Sequence, residues 1–326
     1  MILDQRELKR RMLLRLKGVE LPRPLIGPET VQFHITELCN IKCQYCGYHG
    51  AGTTHHQTGE KHMPFETFEG LVRDCKELQV DRIYMSGQGE PTIHPRFYDM
   101  LACLERSFAI NIYTNGTFPI ERCRDILRAD HIVINLGAAN RESYKELVGR
   151  DLFVKVIKNI RELARLRPQY NPKFCIEVLF VITQLNAQEL VKTEKLVRTL
   201  GADVVQHRKF EVFDFNQHLK LPDHQEKTDI DGQWLPCYYG WFNSAIKFNG
   251  DVNVCCFMQS LTIGNAYKTS FKEVWESDDY ARARALALSG EDPFRHDHNC
   301  INCTTTCQNK AIGAQLEKFQ RIVTAR

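Results

Sequence analysis

The residues in this chain best suited to chemistry are its cysteines. There are 13 in 326 residues, an odd number, and they cluster. Cys39, Cys43 and Cys46 lie together in the segment ELCNIKCQYCGYHG. Cys237, Cys255, Cys256, Cys300, Cys303 and Cys307 lie in the last third. Cys75, Cys103, Cys123 and Cys175 stand singly between the two groups and read as small buried hydrophobes. The N-terminal stretch MILDQRELKRRMLLRLKGVELP is charged throughout and has no apolar h-region, so it is not a secretory signal. Disulfide frameworks belong to small secreted domains, whereas clustered cysteines in a reducing cytoplasm, the expected location, bind metal.

The triplet Cys39-x3-Cys43-x2-Cys46 supplies three thiolates within eight residues. Full ligation of a four-iron cube takes four cysteines, so three leave one iron open to a ligand. A zinc reading needs a fourth ligand, for which His49, His55 and His56 are nominal candidates; structural zinc usually shows two separated ligand pairs. In the last third, pair-plus-pair spacing also allows a four-cysteine zinc ribbon. Residues 49–62 hold four of the 12 histidines. They read either as a metal site or as a polar loop that orders with a ligand beside the triplet.

Composition removes other classes. Hydrophobic residues are 43% and charged residues 25%, which excludes wholesale disorder. No apolar run approaches the roughly 18 residues of a spanning helix, so no membrane is expected as a partner. A net charge of +3 is too mild to argue for nucleic acid.

The elements that must position the cysteines alternate in type. VQFHI, DRIYMSG, INIYTNG, HIVINLG, FCIEVLFVIT and DVVQHRKF read as six strands. Amphipathic helices fall between them, one with Phe65, Phe68, Leu71, Val72, Cys75 and Leu78 on one face and another with Phe153, Val156, Ile157, Ile160 and Leu163. Shorter helices are expected at Phe97–Leu104, at 120–128 and from about Ala187 to Leu200, where Gly201 is a left-handed stop. Repeated βα units predict a parallel sheet, open or barrel-like, with active groups at the carboxyl ends of its strands. The triplet follows strand one, Gly87-Gln88-Gly89-Glu90 strand two and Asn115-Gly116 strand three, while Asn135 ends strand four. Beyond about Phe215 the periodicity weakens and little apolar core is expected. A hairpin is predicted around Asn249-Gly250-Asp251, then one helix over SFKEVWESDDYARARALAL and a cysteine-rich tail.

The triplet with an aromatic residue before its last cysteine, followed by a glycine-rich motif ending in Glu after strand two, resembles the radical S-adenosylmethionine (radical SAM) enzymes over about residues 29–215. The resemblance implies a partial (β/α)6 TIM-type barrel in which Cys39, Cys43 and Cys46 bind a [4Fe-4S] cluster whose open iron chelates the methionine moiety of SAM. It places Tyr45 near the adenine, backbone around Gly87, Gly89 and Glu90 at the methionine amino group, Asn135 at the ribose and Asn115 at the same rim. Arg150 reads as a solvated surface residue that could also reach the SAM carboxylate. The implied activity is reductive cleavage of SAM to a 5′-deoxyadenosyl radical, with electrons from a donor such as flavodoxin or ferredoxin.

The last third resembles the SPASM or shorter twitch domain of the same enzymes over roughly 233–310. The implied organisation is an N-terminal helical extension (1–28), the barrel (29–215), and a linker with a small C-terminal auxiliary-cluster domain (216–326). One auxiliary [4Fe-4S] cluster is expected on Cys237, Cys255, Cys300 and Cys303, with Cys307 and Cys256 as substitutes for their neighbours. Cys256 reads either as a small core residue or as a hydrogen-atom donor to substrate. Only about 30 residues precede strand one, which favours a small polar substrate (a sugar, aminoglycoside or cyclitol) undergoing oxidation or epimerisation. A peptide substrate is the alternative, and a non-catalytic iron–sulfur or zinc protein that binds nucleic acid the remote one.

Overall fold

A computed structural model of the chain describes residues 4–50, 61–210, 214–221, 235–256, 261–297, 300, 303 and 306–324. Its centre is a nine-stranded sheet in the order β6-β5-β4-β3-β2-β1-β7-β8-β9. The first six strands are Thr30–His34, Arg82–Ser86, Ala109–Thr114, His131–Asn135, Cys175–Ile182 and Val204–Lys209, all parallel to their neighbours. This is the expected partial barrel. β5, an almost continuous apolar run, is buried at most positions, as a sheet covered on both sides requires, and β1 is buried at every position although Thr30, Gln32 and His34 are polar.

The helices follow the apolar periodicity. α1 (Gln5–Glu20) precedes the barrel, and α2 (Phe65–Glu77) buries Phe68, Leu71, Val72 and Cys75. α3 (Phe97–Leu104) and α4 (Cys123–Ile126) continue the outer layer. α5 (Arg141–Val148) was not expected from the sequence. Asn140 caps it by accepting from Glu142 N and Ser143 N, and Gly149 closes it at φ +73°. α6 (Phe153–Tyr170) buries Val156, Ile160 and Leu163, and α7 (Leu190–Thr199) ends before Gly201 at φ +98°.

α1 is clamped to the amino-terminal end of the sheet. The buried Arg15 reaches Asp81 at 2.6 Å and the carbonyls of Gly27 and Pro28 at 3.0 and 3.1 Å. Leu16 and Val19 of α1 share a cluster with Trp241, Phe242 and Leu316.

The C-terminal third departs most from expectation. The hairpin forms as β7 (Asn243–Lys247) and β8 (Asp251–Asn253), with β9 (Gly264–Asn265) beyond it. β7, however, pairs in parallel with β1 and so extends the barrel sheet. α8 (Tyr239–Phe242) leads into it. The single helix expected after it is two, α9 (Phe271–Glu276) and α10 (Asp278–Ser289), because Ser277 turns extended and caps the second by accepting from Tyr280 N. α11 (Thr306–Thr324) occupies the tail.

An apolar core is present here, contrary to the sequence reading. Phe271, Val274, Trp275, Tyr280 and Ala283 are buried in one cluster with the barrel residues. Arg284, 1% exposed, sits within it. Its guanidinium lies 4.1 Å from the Tyr280 ring centre and 4.3 Å from that of Trp275, and it donates to the carbonyls of Gly240 and Trp275. Sequence periodicity misses such a core because its central residue is a charged one, buried on aromatic faces.

Candidate active site

The loop after β1 carries the first cysteine group. Cys43 is buried and Cys39 and Cys46 are half-buried. The three thiols lie close enough to act on one another electrostatically. Burial pushes the Cys39 thiol up to about 12 and that of Cys43 further. Neighbouring elements hold the loop from several sides. Leu38 O accepts from Glu90 N at 2.8 Å. Asn40 bonds Asn115 at 2.7 Å and Thr117 at 2.8 Å. Lys42 N and Gln44 N donate to Val148 O and Leu147 O of α5. Arg150, exposed, donates to Asn40 O at 2.8 Å. The unforeseen α5 therefore supports the loop directly.

The glycine-rich turn after β2 is packed against this loop. A Cβ on Gly89 would lie 2.2 Å from Leu38 O, so only glycine allows the approach. Gly87 has φ +130°, and a Cβ there would stand 2.5 Å from the His34 ring. Glu90 is 3% exposed, and its carboxylate accepts from Thr92 N, Thr92 Oγ1, Thr114 Oγ1 and Asn115 N. Burial raises its pKa while these donors oppose the rise. The side chain is thus a knot joining the ends of β2 and β3. The Asn115 side chain is likewise committed, to Asn40 and Thr117. Sequence reasoning missed this scaffolding because the motif gives no sign of which way its side chains turn.

Tyr45 and Asn135 face one another. Asn135 Nδ2 donates to Tyr45 Oη at 2.6 Å, and the Tyr45 hydroxyl also bonds Cys43. Asn135 Oδ1 is buried with no partner among the described residues, an acceptor waiting for a donor such as a hydroxyl. Tyr45 and Gly87 line a cavity of about 660 Å³ that passes Tyr84, Tyr113 and Leu179 and reaches Met12 of α1 and Ile312 of α11. Cys256 lies on its wall, close enough to Tyr113 and Tyr239 to act on them electrostatically.

The second cysteine group assembles from separate segments. Cys237 feels Cys255 and Cys303, and Cys300 feels Cys255, Cys237 and Cys303. Burial raises the Cys237 thiol to about 12 and pushes Cys300 up as well. Of the adjacent Cys255 and Cys256, the first lies beside this group and the second on the cavity wall. Among the described residues no three His, Cys, Asp or Glu converge to hold a single ion. A four-iron cube binds its thiolates at separate irons and does not require that convergence. The Cys307 side chain and residues 51–60, with His55 and His56, lie outside the described residues.

A family model described as the radical SAM superfamily matches residues 33–197. The chain belongs to the radical SAM superfamily. A second model, the SPASM iron–sulfur cluster-binding domain, matches residues 231–307. The cofactors of this radical SAM enzyme are accordingly SAM, a [4Fe-4S] cluster and auxiliary iron–sulfur ligation in the C-terminal domain. The chain is 23% identical to the tungsten-containing aldehyde ferredoxin oxidoreductase cofactor-modifying protein of Pyrococcus furiosus, over 83% of this chain and 85% of that one. Streptococcus suis SuiB bound to precursor peptide SuiA matches at a TM-score of 0.65 and 15% identity, covering 87% of this chain and 73% of that one. Native anSMEcpe with bound AdoMet and a Cp18Cys peptide matches at a TM-score of 0.57 and 15% identity, covering 92% and 99%. At these identities the structural likeness shows the fold. No helix among the described residues is long and apolar enough to cross a membrane.

Proposed function

We propose that this radical SAM enzyme modifies a peptide. In this reading Cys39, Cys43 and Cys46 hold the SAM-binding cluster. Tyr45, the backbone at Gly87, Gly89 and Glu90, and the open acceptor of Asn135 surround SAM, while Asn115 braces the loop. Cys237, Cys255, Cys300 and Cys303 hold one auxiliary [4Fe-4S] cluster. Bound there, the cluster and SAM would supply the one-electron chemistry that lets hydrogen be removed from an unactivated carbon. The chain's own part is to position the reacting carbon and exclude water.

The cavity carries the substrate reading. Leu179, Val181 and Phe210 share its wall with Tyr45, Tyr48, Tyr84, Tyr113 and Tyr239. That mixture suits side chains and amides better than a ring of hydroxyls. SuiB and anSMEcpe, whose structures hold peptides, add support. A small polar substrate is the second reading, favoured by Glu29, Arg82, Arg208 and Lys209 in the same lining.

Substitution of Cys256 distinguishes the possible reaction types. If the substrate carbon is inverted, the thiol returns a hydrogen atom to the carbon radical, and the resulting thiyl is reduced by one electron and one proton from the external donor. The test is to run the reconstituted enzyme with synthetic peptides and with aminocyclitols in deuterated water and read products by mass spectrometry. Inversion adds one solvent deuterium, and Cys256→Ala loses product while 5′-deoxyadenosine still forms. Oxidation or cross-linking removes two hydrogens, adds no deuterium to carbon and survives Cys256→Ala. Turnover of cyclitols with none of peptides would overturn the peptide reading.

A further inference from the structure

One buried side chain at the cavity wall, that of His34, carries two polar atoms with no partner among the described residues. His34 ends β1 and is 2% exposed. Neither Nδ1 nor Nε2 has a hydrogen-bond partner among the described residues. Buried polar groups in folded proteins are nearly always satisfied, by protein, water or ligand. His34 is also one of the residues that line the cavity, with Gln32, Tyr84, Ser86 and Gly87. Its position is fixed rather than accidental. Gly87 leaves the space that the ring fills, since a Cβ there would lie 2.5 to 2.7 Å from three ring-side atoms of His34. In the sheet, His34 pairs with Ser86 on one side and Lys247 on the other.

We propose that His34 is the centre of a substrate subsite that hydrogen-bonds the backbone amides of an extended peptide lying in the barrel cavity. The proposal rests on the peptide reading above and deepens it. Burial, with Lys247 beside it, lowers the His34 pKa to about 4, so the imidazole is neutral near pH 7. A neutral imidazole offers one donor and one acceptor. A carboxylate or phosphate offers only acceptors and leaves one nitrogen unpaired. The two nitrogens also point away from each other, so a single hydroxyl cannot meet both. Peptide backbone supplies donors and acceptors at spaced intervals, and the aromatic pair Tyr84 and Tyr113, 5.6 Å between ring centres, gives its side chains an apolar wall.

The experiment labels the histidine rings with 15N in the cluster-loaded protein and follows His34 by NMR. Probes are N-acetyl-Ala-Ala-N-methylamide, its depsipeptide analogue with an ester in place of the central amide, glucose, and SAM alone. The expected result is a shift of both His34 nitrogens with the diamide. The depsipeptide should bind about tenfold more weakly, because an N–H is lost and its partner left unpaired. His34→Leu should weaken diamide binding by a similar factor, and His34→Gln, which keeps a donor and an acceptor, should recover part of it. Equal diamide binding by His34→Leu and the wild type overturns the subsite and leaves the peptide reading intact. A response to glucose but not to the diamide overturns both. Saturation of the His34 shifts by SAM alone, with no further change on adding the diamide, assigns the histidine to SAM and overturns the proposal.

Discussion

Cys39, Cys43 and Cys46 lie on one short loop that bonds from Glu90, Asn40, Asn115 and α5 already hold in place. Cys237, Cys255, Cys300 and Cys303 come from segments far apart in the chain; among the described residues, bonds from Cys237 N to Ala287 O and between Asn309 and the backbone of Pro236 and Tyr238 tie such segments together. The first site is preorganised by the barrel. At the second, ligation by the four proposed cysteines would close long chain loops, so binding energy would become folding energy. The same ligand type is therefore expected to behave differently under mutation in the two halves.

The largest effect tests that contrast directly. Cys39, Cys43 and Cys46 changed together to Ala should abolish SAM cleavage and drop iron from about eight to about four per chain. Thermal stability should change little, because the loop's backbone bonds remain. Cys237→Ala or Cys300→Ala should also cost about four irons. These variants should additionally lose amide protection over 291–297 in hydrogen exchange, while α9 and α10 keep theirs around Arg284. Cys307→Ala should be milder than Cys303→Ala. A fall in stability from the triple variant as large as that from Cys237→Ala would erase the contrast.

Glu90 gives the next largest effect, confined to the barrel half. Removing its carboxylate strands four buried donors, and Glu90→Ala should cost about 3 kcal/mol in urea unfolding. Glu90→Gln, which places its own N–H₂ among donors, should cost about half that. Both should lower iron at the first site and spare the auxiliary one, as iron analysis beside Cys237→Ala would show.

Much of the barrel half was readable because its signals are local. Apolar runs and helical spacing placed all six parallel strands, and the turn residues Gly87, Gly89, Asn115 and Asn135 fell at their carboxyl ends. What escaped depends on contacts between distant residues. The pairing of β7 with β1 leaves no mark in either segment. The Glu90 knot shows only when Thr114 and Asn115 are brought to it. His34 sits in VQFHI, where one histidine in an apolar strand reads like any satisfied core residue. The break at Ser277 was visible in principle, since Ser-Asp-Asp is a helix-start signal, but the apolar spacing on both sides hid it.

Titration separates the halves by the smallest margin. His34 and His94 both have folded-state pKa values lowered from 6.5 to about 4, with burial as the main cause. Lys247 adds to the lowering at His34. At His94 the Met63 carbonyl, 2.9 Å from Nε2, opposes it, while His62 and Arg96 add to it. Between pH 6.5 and 4 the unfolded chain then binds more protons than the folded one, so stability falls as pH falls through that window. His94 also accepts from Arg96 N at Nδ1, a bond that protonation destroys. Both histidines belong to the barrel half. The alkaline side involves both halves, because the Cys39 and Cys237 thiols rise from 9.0 to about 12 on folding. Cluster-free protein should therefore lose stability as pH rises from 9 toward 12, and cluster loading should remove that limb by ligating the thiolates. Urea midpoints measured from pH 4.5 to 10, with and without clusters, check both slopes. His94→Gln should flatten the acid limb alone, and Cys237→Ala should reduce the alkaline limb alone. An acid slope unchanged in both His94→Gln and His34→Gln would assign it to carboxylates instead.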